Sequence, residues 1–171
     1  MDSNITATTL NIPSKVKDYL EYNSDTGILT WIKSPVSNIP IGTQITRKNK
    51  QGYNICNLHG VTYYVHRVGW YLHTNSQPPE FIDHINRIKT DNYFSNLREA
   101  TKSQNRQNIG IQRNNSSGYK GVSWKKEINK WVARIMLNNV STHLGYFATP
   151  EEAYEAYISA SKKLYKEFSF V

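Results

Sequence analysis

A chain of 171 residues, 38% hydrophobic and 20% charged, has material for one ordinary domain or two small ones with modest cores. Its one cysteine, Cys56, excludes a disulfide framework and a cysteine-based zinc site and points to a reducing compartment. The start, MDSNITATTLNIPSKVKDYL, lacks a basic segment followed by an apolar run, and no stretch approaches membrane-span length, so neither a signal peptide nor a membrane partner is expected.

Taken in order, residues 1–14 are polar and are expected to form a loose tail. VKDYLEYNSDTGILTWI reads as a short helix or strand, a turn at Asp25-Thr26-Gly27, and a strand over 28–32. Residues 34–52, with two prolines and the basic cluster Arg47, Lys48 and Lys50, read as loop. YNICNLHGVTYYV reads as a hairpin turning at His59-Gly60. Val65 to His73 reads as a short helix, ended by Gln77-Pro78-Pro79. EFIDHI then suits a strand, NRIKTDN a turn and YFSNLREA a second extended piece. Thr101 and Gln104 form a capping-box pair that starts a helix. Residues 109–116 form a linker. Beyond it YKGVSW, KWVARIML and THLGYFA read as three strands. Thr149-Pro150-Glu151-Glu152 opens a helix whose apolar stripe is Ala153, Ala156, Tyr157, Ala160 and Leu164.

The formal charge of +8 is unevenly spread. Residues 101–148 hold eight basic residues against Glu127 alone. A local basic excess without an apolar amphipathic segment points to a polyanionic partner, above all nucleic acid.

The chemistry concentrates in FIDHINRIKTDNYFSNLREATKSQNRQN, residues 81–108. Hydrolysis of a phosphodiester needs an activated water and neutralisation of the charge that builds on phosphate. A neutral histidine serves the first need as general base. A divalent cation held by hard oxygens serves the second. His84 offers the base, Asp83 and Asn105 offer metal oxygens, and Asn96 offers a neutral group to orient the imidazole. Neighbours on an ideal strand point to opposite faces, so Asp83 and His84 share one site only at a strand end or a bulge. Asn86, Asp91 and Asn92 read as turn-forming residues. His66 reads as a brace for the helix before this segment. Arg98 is either a phosphate clamp or half of a structural ion pair.

The Asp-His pair, the spacing from His84 to Asn96 and on to Asn105, the VHR at 65–67 and the PPEFIDHIN lead-in resemble the HNH homing endonucleases encoded by phages. The resemblance covers Tyr22 to Asn108. It implies a ββα-metal finger over 79–108, preceded by β-hairpins, within a nuclease region of 15–108. It also implies His84 as general base, Asn96 as its orienting group, and Asp83 and Asn105 as ligands of one divalent ion. Asn105 stands where the family name suggests a histidine, as in one homing subgroup, and Asn108 is the competing ligand. An amide ligand leaves one protein negative charge, which favours Mg²⁺ or Mn²⁺ over tightly held zinc.

YKGV, KWVARI, LGYF and TPEEAYEAY resemble the Apetala-type, ethylene-response-factor DNA-binding domain, over Ser117 to Phe168 within a domain of 117–171. This resemblance implies a three-stranded antiparallel sheet in the major groove of double-stranded DNA, with one helix packed behind. Strand parity places Trp131, Ala133 and Ile135 against the helix. Lys120, Ser123, Lys125, Arg134, Met136 and His143 then form the groove face, with Arg106 and Arg113 on phosphates. The plant domains carry arginines and a tryptophan where this chain has Ser123, Met136, Ser141 and His143, so bidentate readout of guanine is largely missing.

The expectation is therefore an α+β protein acting as a metal-dependent, site-recognising DNA endonuclease, intracellular and phage-encoded. The rival readings are a non-catalytic DNA-binding regulator and an RNA-binding module. The target site, nicking against double-strand cutting, and monomer against homodimer stay open.

Overall fold

The computed structural model describes residues 11–111 and 114–169. The chain divides into two compact units, one ending at Ala100 and one beginning at Thr101. Both combine small antiparallel sheets with short helices, an α+β organisation. The sequence reading carried the first region on to Asn108, whereas the observed division falls before the helix that follows Thr101.

The first unit opens with a hairpin of β1 (Leu20–Asn23) and β2 (Ile28–Trp31). The Asn23 side-chain oxygen accepts from the Asp25 and Thr26 amides, each at 3.0 Å, and Gly27 closes the turn at φ 70. A Cβ on Gly27 would lie 2.2 Å from the Tyr93 nitrogen and 2.3 Å from the Asn92 carbonyl carbon, so this turn and a later loop meet at backbone contact. A second hairpin joins β3 (Ile55–Leu58) to β4 (Val61–Tyr64) through His59 and Gly60, at φ 50 and 82. Two positive φ values match the right-handed twist of the strands.

Helix α1 (Val65–Thr74) follows without a break. Its stop is Asn75 in the left-handed conformation, donating to the Tyr71 carbonyl at 3.0 Å, and not the proline pair expected to end it. The prolines lie further on, where the buried Arg67 gathers the carbonyls of Pro78, Pro79 and Glu80. Val16, Leu20, Leu29, Leu58, Val65 and Val68 form the core. Each such side chain contributes about 1.5–3 kcal/mol on burial. Ile12 joins them, and its amide donates to the Gln77 side chain at 2.8 Å. The expected loose tail therefore ends before Ile12, and residues 1–10 lie outside the described residues.

Strand β5 (Phe81–His84) pairs antiparallel with β6 (Leu97–Ala100), with Asp83 opposite Arg98 and His84 opposite Leu97. The sequence reading extended the second strand from Tyr93, but one 3₁₀ turn, Phe94–Asn96, comes first.

The second unit begins with α2 (Lys102–Gln107), capped by the reciprocal Thr101 and Gln104 bonds that the spacing predicts. A three-stranded antiparallel sheet follows in sequence order: β7 (Val122–Lys125), β8 (Lys130–Leu137) and β9 (Val140–Phe147). Helix α3 (Pro150–Tyr165) packs on it, started by a Thr149 and Glu152 capping box. Its buried line is Ala153, Tyr157, Ser161 and Tyr165, and Leu164 is 42% exposed although it was placed in the stripe. The Tyr165 hydroxyl donates to the Met136 carbonyl at 2.7 Å, which turns Tyr165 and not Leu164 towards the sheet.

Candidate functional site

Strand β5 ends at His84, and the chain turns at once. Arg87 adopts φ 64, its amide donates to the His84 carbonyl at 2.9 Å, and Ile85 donates to the Asn96 carbonyl at 2.9 Å. Asp83 and His84 thus lie at a strand end, the condition under which strand neighbours can share a site, and both are buried.

The loop that follows is held by asparagines. The Asn86 amide nitrogen donates to Asp91 Oδ2 at 2.6 Å, and Asn86 Oδ1 accepts from the Ile88 amide at 2.9 Å. Asn96 cross-braces the same loop. Its Oδ1 accepts from the Asn86 backbone at 3.0 Å, and its Nδ2 donates to Asn86 Oδ1 at 3.0 Å and to the Asp91 carbonyl at 2.7 Å.

The His84 ring is met by a different residue from the one expected. Asn92 Oδ1 lies 3.0 Å from His84 Nε2. An amide oxygen only accepts, so Nε2 carries the proton and the basic lone pair sits on Nδ1. The sequence reading gave this orienting role to Asn96 and left Asn92 to the turn. In the structure Asn96 acts one step removed, by fixing the Asp91 carbonyl beside Asn92. Asn92 is 1% exposed and is gripped from the first hairpin, where the Tyr22 hydroxyl donates to its carbonyl at 2.6 Å and Gly27 abuts its backbone. No local sequence pattern distinguishes Asn92 from Asn96. The distinguishing contact comes from residues about seventy positions earlier.

Burial lowers the His84 pKa below its ordinary value of 6.5, the Asn92 bond and the carboxylates of Asp83 and Asp91 partly oppose this, and Lys89 adds to it. Its ring packs edge-on against His66 at 5.1 Å between centroids, with Tyr53 at 6.1 Å. His66 is itself stacked on Tyr64 at 5.3 Å and held well below 6.5, mainly by burial and then by His84 and Arg67. Both imidazoles are thus kept neutral in a wall of aromatic rings.

Asp83 Oδ2 accepts from Arg98 Nε at 2.9 Å and Nη2 at 2.8 Å. Of the two readings of Arg98, the structure displays the ion pair. Asn105 lies on α2 in the second unit, half-buried, and its amide donates to the Thr101 carbonyl. Among the described residues no three His, Cys, Asp or Glu side chains gather as a metal cage. One carboxylate and one amide oxygen are hard donors. Each is the kind of donor that a divalent ion keeping water or phosphate oxygens accepts, and not one that a structural zinc site favours.

In the second unit, cross-strand register puts Arg134 opposite His143, Met136 opposite Ser141, Lys125 opposite Lys130 and Ser123 opposite Val132. Parity places Ser123, Lys125, Arg134, Met136 and His143 on one face of the sheet. Arg134, His143 and Ser123 are exposed, and Met136 is 54% exposed. The Lys125 ammonium sits 5.7 Å above the Tyr146 ring, which packs against His143 at 4.5 Å. The opposite face carries Ala133 and Ile135, both buried, and half-buried Trp131, as expected. Val132, on the first face, is buried as well, so the alternation is incomplete; β9 shifts register opposite Ala133 and Arg134. Trp124 packs on Trp131 at 5.1 Å and belongs to the helix side of the sheet. Arg106 is exposed on α2, Lys120 is half-buried before β7, and Arg113 lies outside the described residues.

Residues 63–107 match the family model of the HNH endonuclease, and residues 117–167 match that of the AP2 domain. The HNH match spans His84 with its partner Asn92, and the AP2 match spans the sheet and α3. Two curated viral proteins are similar in part. One is an uncharacterised HNH endonuclease of Acanthamoeba polyphaga mimivirus, 33% identical over 89 residues, which are 52% of this chain and 45% of that protein. The other is Protein 3.8 of Escherichia phage T7, 39% identical over 55 residues, or 32% of this chain and 46% of that protein. The chain thus spans about half the length of the curated relatives it matches. No solved structure matches. No helix among the described residues is long and apolar enough to cross a membrane. Cys56, buried in β3 with its thiol pushed up to about 12 by burial, lies outside the stretch that matches the HNH model.

Proposed function

We propose that this chain is a metal-dependent, site-recognising DNA endonuclease in which the HNH segment cuts and the AP2 sheet docks on double-stranded DNA. The observation that carries the reading is a buried, neutral His84 whose Nε2 is pinned by an amide oxygen, so that Nδ1 presents a lone pair. His84 takes the proton of the attacking water. Asn92 holds the tautomer, and Asn96 holds the loop that carries Asn92. Asp83 and Asn105 would hold one divalent ion, Mg²⁺ or Mn²⁺, which would supply charge neutralisation at the scissile phosphate. The Asp83–Arg98 pair holds the carboxylate in place.

Lys120, Ser123, Lys125, Arg134, Met136 and His143 contact DNA, chiefly at phosphates, together with Arg106 and Arg113. One His84 per chain makes a nick the product of a monomer, and two copies cut both strands. The viral relatives agree with action on DNA inside a host cell. The test is to incubate supercoiled DNA from several sources with the full chain and Mg²⁺, with and without a chelator. Nicked or linear product that disappears on chelation supports the proposal. No product on any substrate refutes it.

A further inference from the structure

The second unit carries a cleft apart from the centre of the sheet face. Its cavity of about 220 Å³ is lined by Arg106 of α2, Lys120 of the turn before β7, and Arg134 of β8, with Ser103 and Asn139 beside them. No lining residue is acidic. A second hollow of about 450 Å³ shares Arg106, Lys120, Gly121 and Met136 with the first, so the two form one trough.

The chain builds this place with care. Lys120 donates to the Gln107 carbonyl at the end of α2, and Ser103 Oγ accepts from the Asn138 amide at 3.2 Å, so α2 is tied to the sheet on both sides. Gly121 forms part of the wall at φ 76, where a Cβ would lie 2.3 Å from the Tyr157 ring and 2.7 Å from the Arg134 carbonyl oxygen. Its carbonyl accepts from the Arg134 amide at 2.8 Å. Tyr157 and Tyr165 supply a firm wall, the latter bonded to the Met136 carbonyl. An anion seated in so small a cavity would be attracted by all three cations.

We infer that Arg106, Lys120 and Arg134 form a single phosphate-binding cleft that grips one backbone phosphate of DNA. The inference rests on the proposal that DNA is the ligand, and it goes further by making the three cations one site and not three. Arg134 and Met136 belong both to the cleft and to the exposed sheet face, so the cleft opens where DNA is proposed to lie. The contact is sequence-independent, because phosphate is the same at every step.

The test measures binding of the full chain to two unrelated duplexes in chelator, across a salt series. It uses Arg106→Gln, Lys120→Gln and Arg134→Gln singly and together, with Arg106→Lys as a charge-preserving control. A single shared phosphate predicts that each glutamine variant weakens both duplexes by the same factor with little change in the log–log salt slope, because two cations still neutralise the phosphate, and that the triple variant lowers the slope by only about 0.9. Arg106→Lys retains most of the affinity. At matched ionic strength, inorganic phosphate displaces wild type more than chloride does, and this preference vanishes in the triple variant. Slopes falling stepwise by roughly 2.7 in the triple variant mean three separate phosphate contacts and overturn the inference. Unchanged DNA affinity, with phosphate still preferred by wild type, makes the cleft a site for a free anion and overturns it too. A wild type that binds neither duplex refutes the proposed function instead.

Discussion

Exchanging Asn92 for aspartate is the sharpest probe of the His84 base. The substitution keeps the shape of the side chain and replaces the acceptor 3.0 Å from Nε2 with a carboxylate. The groups facing His84 are Asp83, Asp91 and Lys89, with the neutral rings of His66 and Tyr53 packed on it. Their balance leaves the imidazole below 6.5 because burial outweighs the two carboxylates. A new negative charge in hydrogen-bond contact favours the imidazolium and raises the pKa by about 1–3 units. The basic form then loses population wherever pH lies below the new pKa, by tenfold for each unit of that gap. The assay is single-turnover cleavage at saturating Mg²⁺ across pH. The acid limb should move upward in Asn92→Asp, and much of the rate should return at high pH. The swap also sets an oxygen against the Thr90 carbonyl that the Asn92 amide now serves, so some stability is lost. The position of the limb is therefore the readout, and not the absolute rate. An unmoved acid limb in Asn92→Asp, with a shifted limb in Asn96→Asp, would refute the assignment of Asn92 as the group on His84.

Tyr22→Phe removes the hydroxyl bond to the Asn92 carbonyl and should cost about 1–3 kcal/mol in denaturant unfolding while slowing cleavage. Equal stability and rate would show that the hairpin does not support the loop. His66 and His84 both have pKa values held below 6.5 in the folded chain, so the unfolded chain takes up more protons as pH falls. Stability should be fully present above about pH 6.5 and decline below it, and His66→Phe should make that decline shallower. A thermal-denaturation series over pH checks both statements. Lys125→Ala with Arg134→Ala should weaken DNA binding and flatten its salt dependence by about 0.9 per lost phosphate contact. Unchanged affinity would remove the sheet as the DNA face.

Much of the architecture was legible because its signals are local. The capping boxes at Thr101 and Thr149 and the His59-Gly60 turn satisfy backbone groups within a few residues, and each stands where the sequence puts it. What stayed hidden depends on distant partners. Asn75, not the prolines, ends α1, because asparagine tolerates the left-handed cap and the prolines that begin three residues later are not needed for it. Ile12 looks like part of a polar tail until Gln77 satisfies its backbone from across the unit. The strand that carries Asp83 and His84 was legible. The division of labour between Asn92 and Asn96 was not, because eleven residues of loop between His84 and Asn96 have no periodicity from which a side-chain direction follows. The contacts of Tyr22 and Gly27 set it.

The most direct measurement is cleavage and binding by His84→Ala on the same supercoiled substrate. The account predicts that this variant binds DNA with wild-type affinity, keeps the wild-type fold by circular dichroism, and loses cleavage by about 10²–10⁴-fold, the range for a missing general base. Cleavage at the wild-type rate by a folded His84→Ala protein would contradict it.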